Sequence, residues 1–372
     1  MSERDRPTLV VGAGVVGLAC AVELARAGRW VVLTERERRY GRGTSSRNSG
    51  VIHAGLYYQP GSRKARLCVH GRDRLYAYAR EKDVAHRRCG KLVVATTPEE
   101  VPELEALAAR ARANGVDDVE LVGAVGLRRE APGVAGVAAL RSPSTGIVDP
   151  HALMDALAAD ALRLGAGFVY HSRVVGAEPI DGGWRVSVRS PAGEVEEVEA
   201  EWVVNAAGLY ADEVAGLVVP DVAGAGLGTD WVKGNYFSIR PAARAPVDQL
   251  LYPCPLHDLR GLGIHLTLDL DGGQRLGPDV DMLPERREDY AVDPALRDVF
   301  LAAARTYLPH LTADDLAPAF AGIRAQRRVP GYRDFHIGVD APGWVNLVAI
   351  DSPGLTAALA IAREVAGLVD AG

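Results

Sequence analysis

Two histidines in this 372-residue chain stand in contexts that could do chemistry. His53 lies in residues 44–58, TSSRNSGVIHAGLYY, a polar loop broken by glycines, and His265 lies in Gly263-Ile264-His265-Leu266-Thr267, which reads as a strand with the ring on one face. Oxidising a secondary alcohol takes a hydride from the carbinol carbon and a proton from the hydroxyl, and neutral imidazole suits that proton transfer near pH 7. Either histidine could instead be structural, its ring nitrogens satisfied by backbone, and the sequence leaves open which of the two is the base. His70, His86, His151, His171, His257, His310 and His336 have no comparable context.

A hydride acceptor must be held beside such a base, and residues 8–35 read as the element that holds one. Thr8-Leu9-Val10-Val11 is a short β-rich run that enters Gly12-Ala13-Gly14-Val15-Val16-Gly17, after which Leu18, Ala21, Val22, Leu24 and Ala25 recur on one helical face. Gly12 permits the tight turn, Gly14 lets backbone approach a pyrophosphate, and Gly17 lets the helix pack closely on the strand. The helix N-terminus then offers unpaired N–H groups to the anion. Gly28 ends the helix, residues 30–34 form a second strand, and Glu35 follows about twenty residues past the glycines, where a carboxylate accepts hydrogen bonds from ribose hydroxyls. GxGxxG alone is a weak sign; strand, glycines, helix, strand and acid in this order predict a dinucleotide-binding βαβ unit. Arg36, Arg38 and Arg39 could be read as a 2′-phosphate site for NADP, but Glu35 would repel that phosphate, and charge clusters in loops are usually solvated. Arg36 stays among the cofactor-binding residues by its place beside Glu35.

Composition bounds the rest. At this length, with 48% hydrophobic residues, the chain can bury a large core and suggests two lobes. A net charge of −6 disfavours nucleic acid as a partner, since phosphate-backbone binding needs a basic face. Cys20, Cys68, Cys89 and Cys254 are far apart and form no CxxC, so neither a metal site nor a disulfide framework is expected. The polar start, MSERDRP, leaves no room for a signal peptide, and no apolar run reaches the roughly eighteen residues needed to span a bilayer. The expectation is a soluble cytoplasmic protein, with peripheral membrane contact left open.

Further along, residues 62–81 read as a helix capped by Ser62, residues 91–95 as a strand, and residues 98–113 as an alanine-rich helix. Asp149-Pro150 is a cap-then-proline helix start, with the helix running to about Leu164. Strands follow through Glu201, with a hairpin at Asp181-Gly182-Gly183, and residues 231–276 read as mostly short strands and turns. Residues 202–208, WVVNAAG, form a strand ending in small residues that let another backbone pass close by, or simply pack in the core, and residues 209–217 resume helically. Residues 351–356, DSPGLT, open a C-terminal helix whose N-terminus can stabilise negative charge.

The order GAGVVG, Glu35, TSSRNSGVIHAGLYYQPGSRKARLCVHG, CGKLVVAT, SPSTGIVDPHAL, VVNAAGLYAD, LLYPCP, GLGIHLTLDLDGG, GIRAQ and IDSPGLTAALAIAREVA resembles the D-amino-acid-oxidase-like FAD superfamily over nearly the entire chain. Within it, the likeness is greatest to L-2-hydroxyglutarate dehydrogenases and oxidases. The resemblance implies an α/β, Rossmann-like FAD-binding domain assembled from residues 1–88, 143–222 and 321–372. A substrate domain with a mixed or antiparallel sheet would come from residues 89–142 and 223–320. It further implies that Gly12, Gly14, Val15, Val16 and Gly17 hold the pyrophosphate and Glu35 the ribose. Thr44, Ser45, Arg47, Asn48, Ser49, Gly50 and Val51 would line the pyrophosphate and the isoalloxazine, Val174 would meet adenine through its backbone, and Ala207 and Gly208 would form the small-residue crossing. Gly354, Leu355 and Thr356 would face the flavin's pyrimidine edge.

The implied reaction is oxidation of a small 2-hydroxy acid, with L-2-hydroxyglutarate leading, by hydride transfer to flavin N5. The electron acceptor, whether oxygen, a quinone or a carrier, is not readable. A carboxylate substrate needs cationic anchors, and on the resemblance Lys233 and Arg324 would face the flavin from the substrate lobe; arginine grips a carboxylate with two parallel hydrogen bonds. Arg327 and Arg328 beside Arg324 also allow a solvated basic turn. Tyr57, Tyr58 and Tyr252 could donate a hydroxyl or simply pack. An amine or amino-acid oxidase, a glycerol-3-phosphate-dehydrogenase-like enzyme, and a flavoprotein without turnover are the alternatives on the same fold.

Overall fold

Two sheets organise the molecule. The computed structural model describes residues 6–255 and 263–372, so His257 and the first five residues, on which expectations were placed, lie outside the described residues. The first sheet has six strands in the spatial order His336–Ala341, Trp344–Val348, Trp202–Asn205, Thr8–Val11, Val31–Thr34 and Gly167–Val169. All neighbours are parallel except the terminal hairpin of His336–Ala341 and Trp344–Val348. Parallel strands covered on both faces should be apolar throughout, and Thr8–Val11, Trp202–Asn205 and Trp344–Val348 are indeed buried at every position.

Four helices cover this sheet's core, and their sequences say where they begin. Ser62 caps Arg63–Glu81 by accepting the Ala65 N–H at 3.1 Å. Asp149 caps Pro150–Arg163 by accepting from His151 and Ala152, with proline in the first turn, where no N–H is missed. The long C-terminal helix, Gly354–Ala371, and the first helix, Val15–Arg26, contribute Leu18, Leu24, Ile361 and Val365 to one apolar cluster. Each fully buried leucine or isoleucine there contributes about 1.5–3 kcal/mol.

The turn between the first strand and the first helix cannot carry side chains. Gly12 has φ +97°, and a Cβ there would come 2.6 Å from the Ala206 carbonyl oxygen, while a Cβ on Gly17 would come 1.9 Å from the Gly12 carbonyl oxygen. The chain leaving Trp202–Asn205 therefore passes directly against the glycine turn. The small residues after Asn205 are what this approach requires.

The second sheet has nine strands and is mostly antiparallel, with Lys91–Ala95 running parallel to Leu250–Pro253. Its longest pair is Thr229–Ile239 with Leu316–Arg327, eleven and twelve residues. This departs from the short strands expected over residues 231–276. Its polar letters and Gly234 hide a strand that is held along its length by a distant partner. A third, three-stranded sheet of Val51–Ile52, Gly146–Val148 and His86–Arg87 fixes the chain just before His53.

Candidate active site

One cavity of about 810 Å³ runs from the glycine turn to the second sheet, within the range of roughly 300–1,000 Å³ typical of ligand sites. At its dinucleotide end lie Gly12, Gly14, Val15, Val16, Glu35 and Arg36. Glu35 braces the turn: its Oε2 accepts the Ala13 N–H at 2.8 Å and its Oε1 the Glu37 N–H at 3.0 Å. Burial pushes its carboxyl up, and those two backbone hydrogen bonds act against the rise. Ser45 Oγ accepts the Val15 N–H at 3.0 Å, and a Cβ on Gly14 would come 2.9 Å from that oxygen. Arg36 is paired with Glu288, which also accepts from the Tyr210 and Tyr290 hydroxyls at 2.7 and 2.9 Å, and Arg39 is paired with Asp155 at 2.7 Å. Arg36 and Arg39 are thus already partnered by carboxylates.

Thr44, Ser45, Arg47, Asn48, Ser49 and Val51 also line the cavity, as do Val174, Ala207 and Gly208. The loop is braced from within and from outside. Asn48 donates to the Ser45 carbonyl at 2.7 Å and accepts the Gly50 N–H at 2.8 Å, and Thr44 Oγ1 donates to the Ile323 carbonyl at 3.0 Å. Arg47 lies over the Tyr290 ring at 3.9 Å with its buried Nε unpartnered by any described group. Gly354 and Leu355, the first residues of the C-terminal helix, close this stretch. Bare glycines at the turn, a helix N-terminus at each end and an unpartnered buried guanidinium N–H together fit an anionic dinucleotide.

Three residues expected at the cofactor do not line the cavity. Gly17 lies inside the turn's packing, and Gly50, at φ +64°, lies against the Val148 carbonyl. Thr356 is fully buried, and its Oγ1 accepts the His53 N–H at 3.0 Å and donates to the Val51 carbonyl at 3.2 Å. It pins the histidine loop to the C-terminal helix instead.

His53, Tyr57, Tyr252, His265 and Arg324 meet in the remaining part of the cavity, together with Tyr58. The His53 ring is half-buried, with Nε2 3.4 Å from Ser352 Oγ. Burial first, and the Lys91 charge second, push its imidazole down to about 3, so it is neutral across the physiological range. His265 immediately precedes the short strand Leu266–Leu268 rather than lying within it, and its ring stacks on Tyr252 with centroids 3.5 Å apart. Arg324 donates one guanidinium N–H to the Asp279 carbonyl at 3.0 Å, while its buried Nε meets no described acceptor. Lys233 lies elsewhere: it does not line the cavity, donates to the Ala291 carbonyl at 2.5 Å, and faces Asp289 at 3.6 Å.

Sequence reasoning passed over Lys91 and Tyr236. Tyr236 lines the cavity, hydrogen-bonds Ser49 at 3.3 Å and stacks on Phe320. Lys91 heads a strand buried at all five positions, and a lysine opening the apolar run KLVVA was the available signal.

A glycine-turn dinucleotide groove that leads past a helix N-terminus to two imidazoles and an arginine defines a nucleotide-cofactor oxidoreductase. The chain belongs to the FAD dependent oxidoreductase family, whose model matches residues 8–368, and its cofactor is FAD. It is 36% identical to the mitochondrial L-2-hydroxyglutarate dehydrogenase of Arabidopsis thaliana, over 96% of this chain and 82% of that one. It is 31% identical to the human mitochondrial enzyme of the same name, over 86% of this chain and 77% of that one. Among solved structures it superposes on an L-alpha-glycerophosphate oxidase from Mycoplasma pneumoniae with FAD bound, with TM-score 0.86, 25% identity and coverage of 98% and 94%. A glycine oxidase from Geobacillus kaustophilus, at 22% identity and TM-score 0.78, covers 98% and 95% and shares the fold. Among the described residues no helix is long and apolar enough to cross a membrane.

Proposed function

We propose that the chain oxidises a small 2-hydroxy acid to the 2-oxo acid, with L-2-hydroxyglutarate to 2-oxoglutarate as the leading reaction. The observation that carries this reading is the meeting of His53, His265 and Arg324 in one cavity continuous with the dinucleotide groove. FAD, when bound, supplies a hydride acceptor at N5. Gly12, Gly14, Ser45, Arg47 and Gly354 would hold it, with Glu35 toward the ribose. Arg324, which lines the cavity and whose Nε has no acceptor among the described residues, holds the substrate carboxylate through its guanidinium. His53 takes the hydroxyl proton: it is neutral, its backbone is fixed by Thr356, and Ser352 is in reach of Nε2. His265 and Tyr252 form the wall that orients the donor. Lys233 has no part in this reading.

In this reading residues 1–88, 143–222 and 321–372 carry the cofactor, and residues 89–142 and 223–320 carry the substrate. The described cysteines are all free thiols, which suits a reducing compartment such as the cytoplasm. The test is anaerobic bleaching of the enzyme-bound flavin by L-2-hydroxyglutarate, other 2-hydroxy acids, glycerol 3-phosphate and amino acids. Bleaching by hydroxy acids alone is the expected result. Bleaching by amino acids alone would replace the reading with an amine oxidase.

A further inference from the structure

Behind the cavity wall lies an ammonium group that the reaction scheme does not use. Lys91 is 1% exposed and does not line the cavity. Its Nζ has no hydrogen-bond partner and no carboxylate partner among the described residues, which is a costly state for a buried cation. What it has instead is aromatic: Nζ lies 3.7 Å from the Tyr252 centroid and 5.2 Å from the Tyr57 centroid. Tyr252 also carries the His265 ring, stacked at 3.5 Å and 10°. Cation, phenol and imidazole therefore form one stack that ends in the cavity.

We propose that Lys91 is a positioning residue of the reaction: from behind the wall its ammonium holds the Tyr252 ring against His265 and adds positive charge where a carboxylate substrate meets its base. The inference rests on the hydroxy-acid reading above. A cation on one face of an aromatic ring is attracted by the ring's quadrupole, and more strongly when water is excluded, so the stack is stiffened from its dry side. The same charge reaches His53 and disfavours its protonation. The titratable groups around Lys91 are the thiols of Cys68, on the helix Arg63–Glu81, and of Cys89, just before its own strand, together with His53, Tyr57, Tyr252 and His265. No carboxylate among the described residues acts on it in that set, and burial brings its ammonium down to about 7, so the positive charge faces the cavity wall below that pH and is lost as pH rises through it.

The experiment is Lys91→Met, which keeps the length of the side chain and removes the charge, with Lys91→Arg as the charge-retaining control. Flavin reduction is followed by anaerobic stopped flow from pH 4.5 to 8.5, with whichever donor bleaches the wild type, and FAD content and melting temperature are measured beside it. Lys91→Met is expected to keep its FAD and to melt no lower than the wild type, because an unpartnered buried charge has been removed. Its limiting reduction rate should fall about tenfold or more below pH 7, and the loss of rate that the wild type shows as Lys91 gives up its proton near pH 7 should be absent from its profile. Lys91→Arg, whose guanidinium stays charged throughout, should recover the rate and hold it to pH 8.5. A Lys91→Met rate and pH profile equal to the wild type would overturn the proposal. So would loss of FAD or of the fold, which would make Lys91 a structural residue. Failure of hydroxy acids to reduce the wild type would count against the substrate reading and not against Lys91.

Discussion

Thr356→Val is the substitution that most directly tests how the site is held. Valine keeps the shape and the β-branching of threonine, so neither the packing nor the helix propensity changes much. What disappears is the hydroxyl that accepts the His53 N–H at 3.0 Å and donates to the Val51 carbonyl at 3.2 Å, in a fully buried position. Two buried backbone groups then lose their partners, at about 1–3 kcal/mol each. Allowing for the apolar surface that valine gains, the expected net loss is about 2–4 kcal/mol. It falls on the loop that carries His53, the proposed base. Chemical denaturation followed by FAD fluorescence measures the first effect, and the limiting rate of anaerobic flavin reduction, expected to drop about tenfold or more, measures the second. Thr356→Ser, which keeps the hydroxyl, should recover most of both. A valine variant within about 0.5 kcal/mol of the wild type and equally fast would refute the claim that this hydroxyl positions His53.

Three further outcomes are expected. His53→Gln should slow flavin reduction by about 10²–10⁴-fold with FAD retained, and His265→Ala by much less; the reverse ranking in stopped flow would exchange their roles. Arg324→Gln should raise the substrate dissociation constant about tenfold to a hundredfold, from the loss of a charged hydrogen bond of about 1.5–3 kcal/mol, and the dependence of the reduction rate on donor concentration reads it directly. Because burial and Lys91 hold the His53 imidazole down near 3, the wild-type reduction rate should lack a histidine acid limb between pH 5 and 8. The same depression has a stability sign: below about 6.5 the unfolded chain takes up a proton that folded His53 refuses, so this residue makes the fold less stable as pH falls toward 3. In denaturation midpoints compared at pH 5 and 7, His53→Gln should show a smaller drop than the wild type.

Local signals in the sequence were strong wherever a short stretch determines its own conformation. Ser62 and Asp149 cap the helices expected of them, residues 91–95 form the expected strand, and the glycine turn packs as its spacing requires. Elements completed by distant partners were harder. Thr229–Ile239 owes its length to Leu316–Arg327, and residues 209–217 yield only a short 3-10 turn and the five-residue helix Ala211–Ala215. At the site, residue type alone could not separate cations that face the cavity from cations that face backbone. Lys233 and Arg324 lie on paired strands and are themselves close in register, with Val232 opposite Arg324. Adjacent residues of a strand point to opposite faces, and only three-dimensional packing decides which face is the cavity. The contacts of Lys91 with Tyr252 and of Thr356 with His53 are made between neighbours brought together by the fold, which no local spacing reports.

The order of strands in the first sheet has a consequence for biosynthesis. Thr8–Val11 lies between Val31–Thr34, made at once, and Trp202–Asn205, roughly 190 residues later, which at about 5–20 residues per second is a wait of about 10–40 s on the ribosome. Through that interval a strand that ends up wholly buried has one open edge. The glycine turn lacks Ala206 against it for as long, and the Thr356 hydroxyl that fixes His53 emerges later still. The nascent chain must therefore be shielded long before it can gain stability from its cofactor, and a shortage of chaperone should reduce the yield of this protein before a shortage of FAD does.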